Sequence, residues 1–158
     1  MDIIKHGFYI IKDDFFTDFP DPCLKGNKKE QRPHYYFKDD FEIIWVIPAT
    51  SKKDSIDKKI EEKKRKNREY EDLFHYLEIG HKTGVLLIAE MFPITKKYIK
   101  REYTISRKPF KLLDKSKTSK IDKKAKRILA LLKQGTKFTD KSPDVLKIES
   151  DLKSKLND

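Results

Sequence analysis

Thr50, Ser51 and Lys53 carry side chains that could act on a phosphate. They supply two hydroxyl groups and an amine within one short stretch of the chain, and His34 precedes them. Hydroxyl groups and amines donate hydrogen bonds to phosphate oxygens, whereas histidine gains or loses a proton near neutral pH. The combination predicts a site that binds a phosphate and moves a proton beside it.

Two facing strands would bring these residues together. Residues 35–37 are aromatic, Asp39-Asp40 suits a tight turn, and residues 41–47 have the β-branched and aromatic content of a strand that Pro48 is expected to end. A hairpin that turns at Asp39-Asp40 places the chain before Tyr35 beside the chain after residue 47. Lys28, Arg32 and His34 would then meet the Thr50–Lys53 stretch at one end of the hairpin.

The composition favours a polyanionic partner. The chain has 158 residues, a formal net charge of +11 and a single cysteine, Cys23. This length predicts one domain, residues 1–158, and the charge favours nucleic acid over a membrane surface, because no helix has the bulky apolar face that interfacial binding requires. The lone cysteine excludes an internal disulfide, and the N-terminus lacks the arrangement of a signal peptide. We therefore expect a cytoplasmic protein.

Hydrophobic patterns predict the elements around this hairpin. Helices are expected over residues 54–69 and 95–102 and in two segments near the C-terminus. The first C-terminal helix follows a polar linker at 116–120 with Ser119 as its cap, and the second begins at Ser142-Pro143-Asp144. Strands are expected over residues 7–12 and 85–91, and residues 13–22 are expected to be irregular. Residues 70–82 fit either a helix end or a strand.

The sequence resembles a known family of toxins along nearly its whole length. The resemblance is to the toxins of type III toxin–antitoxin systems, the ToxN, AbiQ, CptN and TenpN family, and is closest to the CptN and TenpN branches. It rests on Asn27-Lys28, Arg32-Pro33-His34-Tyr35-Tyr36, Trp45-Val46-Ile47-Pro48, Thr50-Ser51-Lys52-Lys53, Met91-Phe92-Pro93-Ile94, Lys100-Arg101-Glu102-Tyr103, Lys124-Ala125-Lys126-Arg127-Ile128-Leu129 and Val145-Leu146-Lys147-Ile148-Glu149.

The resemblance implies a fold, an activity and a partner. The fold is α+β: a compact, highly curved antiparallel β-sheet of the MazF/Kid-like, SH3-like barrel type with added α-helices. The activity is that of a sequence-specific endoribonuclease that needs no metal or other cofactor and leaves a 2′,3′-cyclic phosphate. The partner is a short RNA repeat folded as a pseudoknot, which the toxin cuts from a precursor and which then inhibits it within a cyclic protein–RNA assembly.

The resemblance also assigns roles to residues. The family pattern of a threonine, a serine and a lysine after a strand falls on Thr50, Ser51 and Lys53, and a second cationic position falls on His34. Metal-free RNA cleavage needs a group that transfers protons, for which His34 is the candidate as either base or acid, and donors that stabilise the phosphorane, for which Lys53 and the two hydroxyl groups are the candidates. The residues expected to bind RNA are Asn27, Lys28, Arg32, Tyr35, Lys52, Lys59 and Lys63.

Two other readings remain open at this stage. A basic RNA-binding protein without catalytic activity would use the same surface. A metal-dependent nuclease would need acidic ligands, but Asp13-Asp14 and Asp39-Asp40 are the only close acid pairs in the strand-rich half, and neither has a histidine or a third acid at a convincing spacing. Turn residues are the better interpretation of both pairs, and no metal site is predicted.

Overall fold

The structure is a computed structural model, and it describes residues 2–29, 31–64, 68–138 and 142–156. It contains nine strands and four α-helices in these residues. In chain order they are β1 (Phe8–Ile11), α1 (Asp13–Asp18), β2 (His34–Asp40), β3 (Ile43–Thr50), α2 (Lys53–Lys64), β4 (Phe74–Ile79), β5 (Lys82–Leu87), β6 (Phe92–Ile94), β7 (Ile99–Glu102), β8 (Thr104–Ile105), β9 (Lys108–Pro109), α3 (Lys115–Lys133) and α4 (Val145–Leu156).

An antiparallel sheet in the order β4-β5-β3-β2-β1-β7 forms the body of the protein, and β6 also pairs with β3. All eight residues of β3 are buried, which matches a strand whose sequence is apolar on both faces. Trp45 at its centre has no exposed surface. Because β3 is central, its neighbours β2 and β5 are held beside it, and the site described below lies where β2 begins and β3 ends.

The predicted hairpin is confirmed, with two corrections. In β2 and β3, His34 lies opposite Pro48 and Tyr35 opposite Ile47. The turn is at residues 41–42 and not at Asp39-Asp40, because both aspartates pair with residues of β3. Pro48 also does not end β3, which continues to Thr50. The N–H of Ala49 donates to the carbonyl of Pro33 at 3.0 Å, so β3 pairs with the start of β2 at this point without needing an N–H from Pro48.

The sheet is strongly curved. Gly80 at the tip of the β4–β5 hairpin has a φ of +68°, and a Cβ placed on it would lie 3.1 Å from Cδ1 of Ile105 in β8. The β8–β9 hairpin follows the strand at the opposite edge of the sheet, so the two edges approach each other over the sheet. The described strands nevertheless form an open path and not a closed barrel. The expected α+β class with a curved antiparallel sheet and added helices is confirmed.

Helix α3 packs through the predicted apolar stripe but begins earlier than expected. Ile121, Ala125, Ile128, Leu129 and Leu132 are buried. Its cap is Asp114, whose carboxylate accepts hydrogen bonds from the N–H groups of Ser116 and Lys117 at 2.9 and 3.3 Å. Residues 116–120 are therefore helical and Ser119 is not the cap, because an aspartate satisfies the first free N–H groups one turn earlier.

Three further expectations were wrong in part. Residues 13–18 form helix α1, whose Phe15 is buried, where an irregular segment was predicted. Residues 95–102 contain only a 3₁₀ turn, Lys96–Tyr98, followed by strand β7, since pairing with β1 decides the conformation there. The apolar run at residues 85–91 leaves β5 after Leu87 and continues as a 3₁₀ turn, Ile88–Glu90. In the described ranges, no helix combines the length and hydrophobicity of a membrane span.

Candidate phosphate-binding site

A cavity of about 240 Å³ lies where β2 begins and β3 ends. We call it the strand-end pocket. Its described lining contains no carboxylate, while it includes three cationic and four hydroxyl-bearing side chains: Lys28, Arg32, Lys82, Thr50, Ser51, Thr83 and Tyr103. Cations and hydroxyl groups that converge without a neutralising acid suit a phosphate group.

Arg32 is the most firmly held cation of the pocket. Its Nε donates to the carbonyl of Gly26 at 2.9 Å and its Nη1 donates to the carbonyl of Ala49 at 2.8 Å. Only 8% of the residue is exposed. Burial lowers the pKa of Arg32 from its ordinary value, but a guanidinium group stays protonated at neutral pH. The charge is thus fixed at the junction of the two strands.

The loop before β2 places Lys28 near Arg32. The carbonyl of Asn27 accepts hydrogen bonds from the N–H groups of Gln31 and Arg32, both at 2.9 Å, which closes the loop. Lys28 has a φ of +52° within this tight turn. Burial and then the charges of Arg32, Lys52 and Lys25 lower the pKa of the Lys28 amine. A lowered pKa makes the neutral amine, the form that can act as a base, more accessible than it is in an isolated lysine.

Asn27 is placed differently from the prediction that it contacts RNA. It is buried, and its Nδ2 donates to the carbonyl of Ile11 at 2.7 Å. This bond anchors the loop to the end of β1. The position of Asn27 accounts for the geometry of Lys28 and Arg32, whereas a buried amide does not offer a surface to RNA.

Thr50 and Ser51 lie side by side at the end of β3. Thr50 is buried, and its Oγ1 accepts a hydrogen bond from the N–H of Lys52 at 3.2 Å, just before helix α2. Ser51 is exposed. The structure therefore brings both predicted hydroxyl groups to the pocket that contains Lys28 and Arg32.

Lys53 does not line the strand-end pocket in this structure. Its Nζ lies 2.7 Å from Oδ2 of Asp57, one turn along α2, and 5.8 Å from the centre of the Tyr76 ring. The hydroxyl of Tyr76 donates to the same carboxylate. The hydrogen bond to Asp57 and its charge raise the pKa of Lys53. A catalytic role for Lys53 remains a prediction that requires its amine to leave Asp57.

His34 lies in the interior and not at the pocket. The residue has no exposed surface, its Nδ1 is 3.1 Å from the carbonyl of Arg32, and its ring packs edge-on against Phe92. Burial, followed by the charge of Arg32, lowers the pKa of His34 to about 3. A buried, neutral ring cannot exchange a proton with a substrate, so this geometry does not support the expected role of His34. The reason is that β2 is a central strand, covered on both faces.

The remaining residues predicted to bind RNA separate into two groups. Tyr35 is buried, and its hydroxyl donates to Asp122 of α3 at 3.0 Å, so it packs in the core and does not offer its ring to a base. Lys52, Lys59 and Lys63 line a second cavity beside helix α2, and Thr50 lines both cavities. The three lysines therefore lie along a surface that begins at the strand-end pocket.

Sequence reasoning missed Lys82, Thr83 and Tyr103. Lys82 and Thr83 begin β5, the neighbour of β3, and Tyr103 follows β7 at the other edge of the sheet. The signals in the sequence were weak: a Lys-Thr-Gly that opens a strand, and a tyrosine after a basic stretch. Pairing of β5 with the end of β3, where Thr50 lies opposite Val85, brings Lys82 and Thr83 to the pocket. Tyr103 follows the edge strand β7, so it reaches the pocket only because the sheet is curved.

No site suited to a metal ion is found in the described residues, since no three histidine, cysteine or acidic side chains cluster there. Asp13 and Asp14 lie in the first turn of α1, and Asp39 and Asp40 lie in β2 beside the hairpin turn. Both pairs are therefore structural residues. They are not the turn residues that were predicted, because the first pair lies in a helix and the second in a strand.

The fold and the pocket together define an α+β protein with a strongly curved antiparallel sheet and a cationic, hydroxyl-rich cavity at its strand ends. Solved structures share this architecture over the full chain. One is AbiQ, a lactococcal anti-phage endoribonuclease of the type III toxin–antitoxin system, with a TM-score of 0.71, 17% sequence identity and coverage of 96% of this chain and 98% of AbiQ. This match confirms the resemblance at the level of the fold.

A second structure comes from a bacterial antiviral system that a processed non-coding RNA regulates. It matches with a TM-score of 0.62 and 14% identity and covers 95% of this chain and 98% of its own. No protein-family model matches the sequence, and no curated protein matches it significantly. The similarity to these two proteins is therefore detected by comparison of three-dimensional structures and not by comparison of sequences.

Proposed function

We propose that this protein is a metal-independent endoribonuclease, the toxin of a type III toxin–antitoxin system, formed as one domain over residues 1–158. The observation that carries the proposal is the strand-end pocket, where Lys28, Arg32 and Lys82 meet Thr50 and Ser51 without a carboxylate in the described lining. The same fold occurs in AbiQ, an endoribonuclease. The net charge of +11 further suits an RNA substrate.

The proposed reaction is attack of a ribose 2′-OH on the adjacent phosphorus, which breaks the bond to the 5′-oxygen and leaves a 2′,3′-cyclic phosphate. The Lys28 amine accepts the proton of the 2′-OH, because its lowered pKa makes the neutral form more accessible. Arg32 and the hydroxyl groups of Thr50 and Ser51 donate to the phosphorane oxygens. The leaving 5′-oxygen takes a proton from Lys53 once its amine is released from Asp57, or from the Tyr103 hydroxyl.

The proposed partner is a small RNA that the protein cuts from a repetitive precursor. This RNA folds as a pseudoknot, inhibits the protein and joins it in a cyclic protein–RNA assembly, and cellular RNA is the other substrate. The resemblance to type III toxins supports this proposal, as does the likeness to a structure from an RNA-regulated antiviral system. In the genome, a tandem array of short repeats should lie immediately upstream of the coding sequence.

The test is cleavage of labelled RNA by the purified protein in excess chelator. We expect full activity and products that end in a 2′,3′-cyclic phosphate. Ser51→Ala and Lys28→Ala should each slow cleavage by about 10²–10³-fold, the cost of losing one donor or proton-transfer group at the reacting phosphate. Lys97→Ala removes an exposed lysine outside the pocket and is the matched control. Dependence on added Mg²⁺ would contradict the proposal.

A second candidate function is RNA binding without cleavage. The buried His34 and the Lys53–Asp57 ion pair favour it, because two of the four predicted catalytic side chains are withheld from the pocket. This candidate predicts salt-sensitive RNA binding with no products at any pH. Expression of the chain in cells, with and without the upstream RNA, separates the two: an endoribonuclease toxin arrests growth only when that RNA is absent.

A further inference from the structure

A cavity of about 390 Å³ lies at the start of helix α3, and we call it the α3 cavity. The segment before β1 contributes Lys5 and His6 to its lining, and the segment before α3 contributes Lys111. None of its described lining residues also lines the strand-end pocket. The two cavities are therefore separate, and the function proposed above does not account for this one.

His6 is held in the wall of the α3 cavity by its backbone and its side chain. Its N–H donates to the carbonyl of Tyr36 at 2.9 Å, and its carbonyl accepts from the N–H of Leu112 at 3.2 Å. The residue has a φ of +71°, a backbone conformation that is costly for residues other than glycine. Its Nε2 lies 2.8 Å from Oδ2 of Asp122 in α3, and the hydroxyl of Tyr35 donates to Oδ1 of the same carboxylate at 3.0 Å. These contacts fix the position of the imidazole ring.

Basic groups outnumber acidic groups around this ring. Three lysines from different segments line the cavity: Lys5, Lys111 and Lys115. Asp122 is the one carboxylate in the described lining, and His6 and Tyr35 already bond to its two oxygens. Three lysines less one aspartate give the described lining a net charge of +2 when the ring is neutral and +3 when it is protonated.

Protonation of His6 completes a site for a doubly charged anion. Because a carboxylate only accepts, Nε2 carries the proton shared with Asp122, so Nδ1 is an acceptor in the neutral ring and a second donor in the protonated ring. Ser119 adds an exposed hydroxyl donor one turn along α3 from Lys115. A phosphate monoester has a charge of about −1.5 to −2 at pH 7 and three acceptor oxygens. It matches this set of donors and charges better than a phosphodiester, which has a single charge.

Two exposed apolar side chains border the same cavity. Ile4 is 40% exposed and Leu113 is 81% exposed, and both belong to the lining. Ligand sites combine such apolar surface with a few polar groups that fix the orientation of the ligand. An apolar border beside a phosphate site suits the nucleoside of a nucleotide, whereas a free phosphate ion would make no use of it.

We propose that the α3 cavity binds the terminal phosphate of a nucleotide or of an RNA end. The lysines and the protonated His6 ring contact the phosphate oxygens, and Ile4 and Leu113 contact the attached nucleoside. The site goes beyond the proposed function, because it shares no described residue with the strand-end pocket and takes no part in RNA cleavage.

Titration with sulfate at pH 6 and pH 8 tests the charges of the site, since sulfate stays doubly charged at both pH values. Amide chemical shifts of the full-length protein are followed by NMR: residues 111–119 report on the α3 cavity, and residues 49–51 and 82–84 report on the strand-end pocket. Because the bound anion favours the protonated ring, sulfate should bind the α3 cavity about 10-fold more tightly at pH 6 than at pH 8. Lys115→Ala should weaken this binding by about 5-fold. Lys123→Ala, an exposed position of the same helix outside the lining, is the matched control and should not weaken it.

Replacement of the imidazole then tests its part in the site. His6→Asn cannot take up a proton, and asparagine tolerates the left-handed backbone conformation. Sulfate should therefore bind this variant equally at the two pH values. His81→Asn, the same change at an exposed turn, should keep the pH dependence. Absence of shifts at residues 111–119, unchanged sulfate affinity in Lys115→Ala, or full pH dependence in His6→Asn would each overturn the site, and the lysine variant decides the matter if His6→Asn does not fold.

Nucleotide ligands identify the source of the phosphate. 5′-AMP should bind the α3 cavity more tightly than sulfate, and adenosine, which has no phosphate, should leave residues 111–119 unshifted. A short oligoribonucleotide with a terminal phosphate that binds more tightly than 5′-AMP assigns the site to an RNA end, whereas equal or weaker binding assigns it to a mononucleotide. Binding of 5′-AMP no tighter than that of sulfate would reject a nucleotide site. Since no readout involves cleavage, these results stand or fall separately from the endoribonuclease assay.

Discussion

Replacing His34 by asparagine distinguishes a structural histidine from a catalytic one. Asparagine retains an N–H group near the position of Nδ1, which faces the carbonyl of Arg32 at 3.1 Å. It cannot, however, take up a proton at mildly acidic pH. The wild-type protein and His34→Asn should therefore differ in how their stabilities depend on pH.

The expected difference follows from the pKa of His34, which is about 3 in the folded protein and about 6.5 in an unfolded chain. Between these pH values only the unfolded chain binds the proton, so the free energy of unfolding falls as pH decreases from 6.5 toward 3. At pH 4, roughly 2.5 pH units below the pKa of the unfolded chain, protonation of the unfolded state lowers the free energy of unfolding by about 3 kcal/mol. At pH 7 the histidine is neutral in both states and contributes no such difference.

Urea unfolding at pH 7 and pH 4 measures this contribution. Wild-type protein should lose about 3 kcal/mol more than His34→Asn between the two pH values. Other titrating groups, such as His75, whose pKa is lowered to about 4 chiefly by burial, are shared by both proteins and cancel in the comparison. Equal losses in both proteins, or an imidazole NMR signal of His34 that titrates near its ordinary pKa, would refute the structural assignment.

The same variant also decides the catalytic question. If the ring stays buried, His34→Asn should cleave RNA at pH 7 within about 10-fold of the wild-type rate, since a lost proton-transfer group costs roughly 10²–10⁴-fold. A loss of cleavage rate in that larger range, with unchanged stability at pH 7, would indicate that His34 acts at the reacting phosphate. The segment before β2 would then have to rearrange when RNA binds.

Three further predictions concern the surface. Asp57→Asn removes the partner of an exposed ion pair, so stability in urea unfolding should stay close to that of the wild type. Single-turnover cleavage should nevertheless accelerate, because the Lys53 amine is released toward the phosphate; an unchanged rate would argue against a role for Lys53. Lys59→Ala and Lys63→Ala should each reduce the slope of log affinity against log salt by about 0.7 for single-stranded RNA, and an unaltered slope would place the RNA elsewhere. Phe41, 95% exposed with a φ of +57°, should tolerate Phe41→Asn with a gain of up to about 1 kcal/mol in thermal unfolding, as asparagine adopts this conformation more readily.

Local pattern was enough to predict part of the site. The apolar run at residues 43–47 and the turn-forming residues before it indicated a hairpin, and the hairpin alone brings Arg32 to Ala49 and hence near Thr50. The exact turn was missed because Asp39-Asp40 resembles a turn in composition, yet pairing with β3 keeps both residues in the strand. The apolar stripe of α3 was also predicted correctly, because the 3.6-residue spacing of its buried residues does not depend on where the helix begins.

Burial and long-range placement could not be predicted from local pattern. His34 is polar and follows a proline, which favours the surface, but β2 lies between β1 and β3 and is covered on both faces. Lys82 reaches the pocket because β5 pairs with β3, which is distant in sequence, and Tyr103 reaches it from the edge strand β7 because the sheet is curved. Lys53 differs from these, because its spacing of four residues from Asp57 on a helix is itself a signal for an ion pair.

The arrangement of Arg32 explains why the pocket should be ready for an anion before one binds. Backbone carbonyls of Gly26 and Ala49 hold the guanidinium group in place without neutralising its charge. A buried cation with neutral partners is costly to the folded protein, and the low polarity that makes it costly also strengthens its attraction to a phosphate. Both carbonyls are set by the fold, one in the loop closed by Asn27 and one at the end of β3. The hairpin register therefore determines where the pocket would hold a phosphate, whichever residue transfers the proton in the proposed reaction.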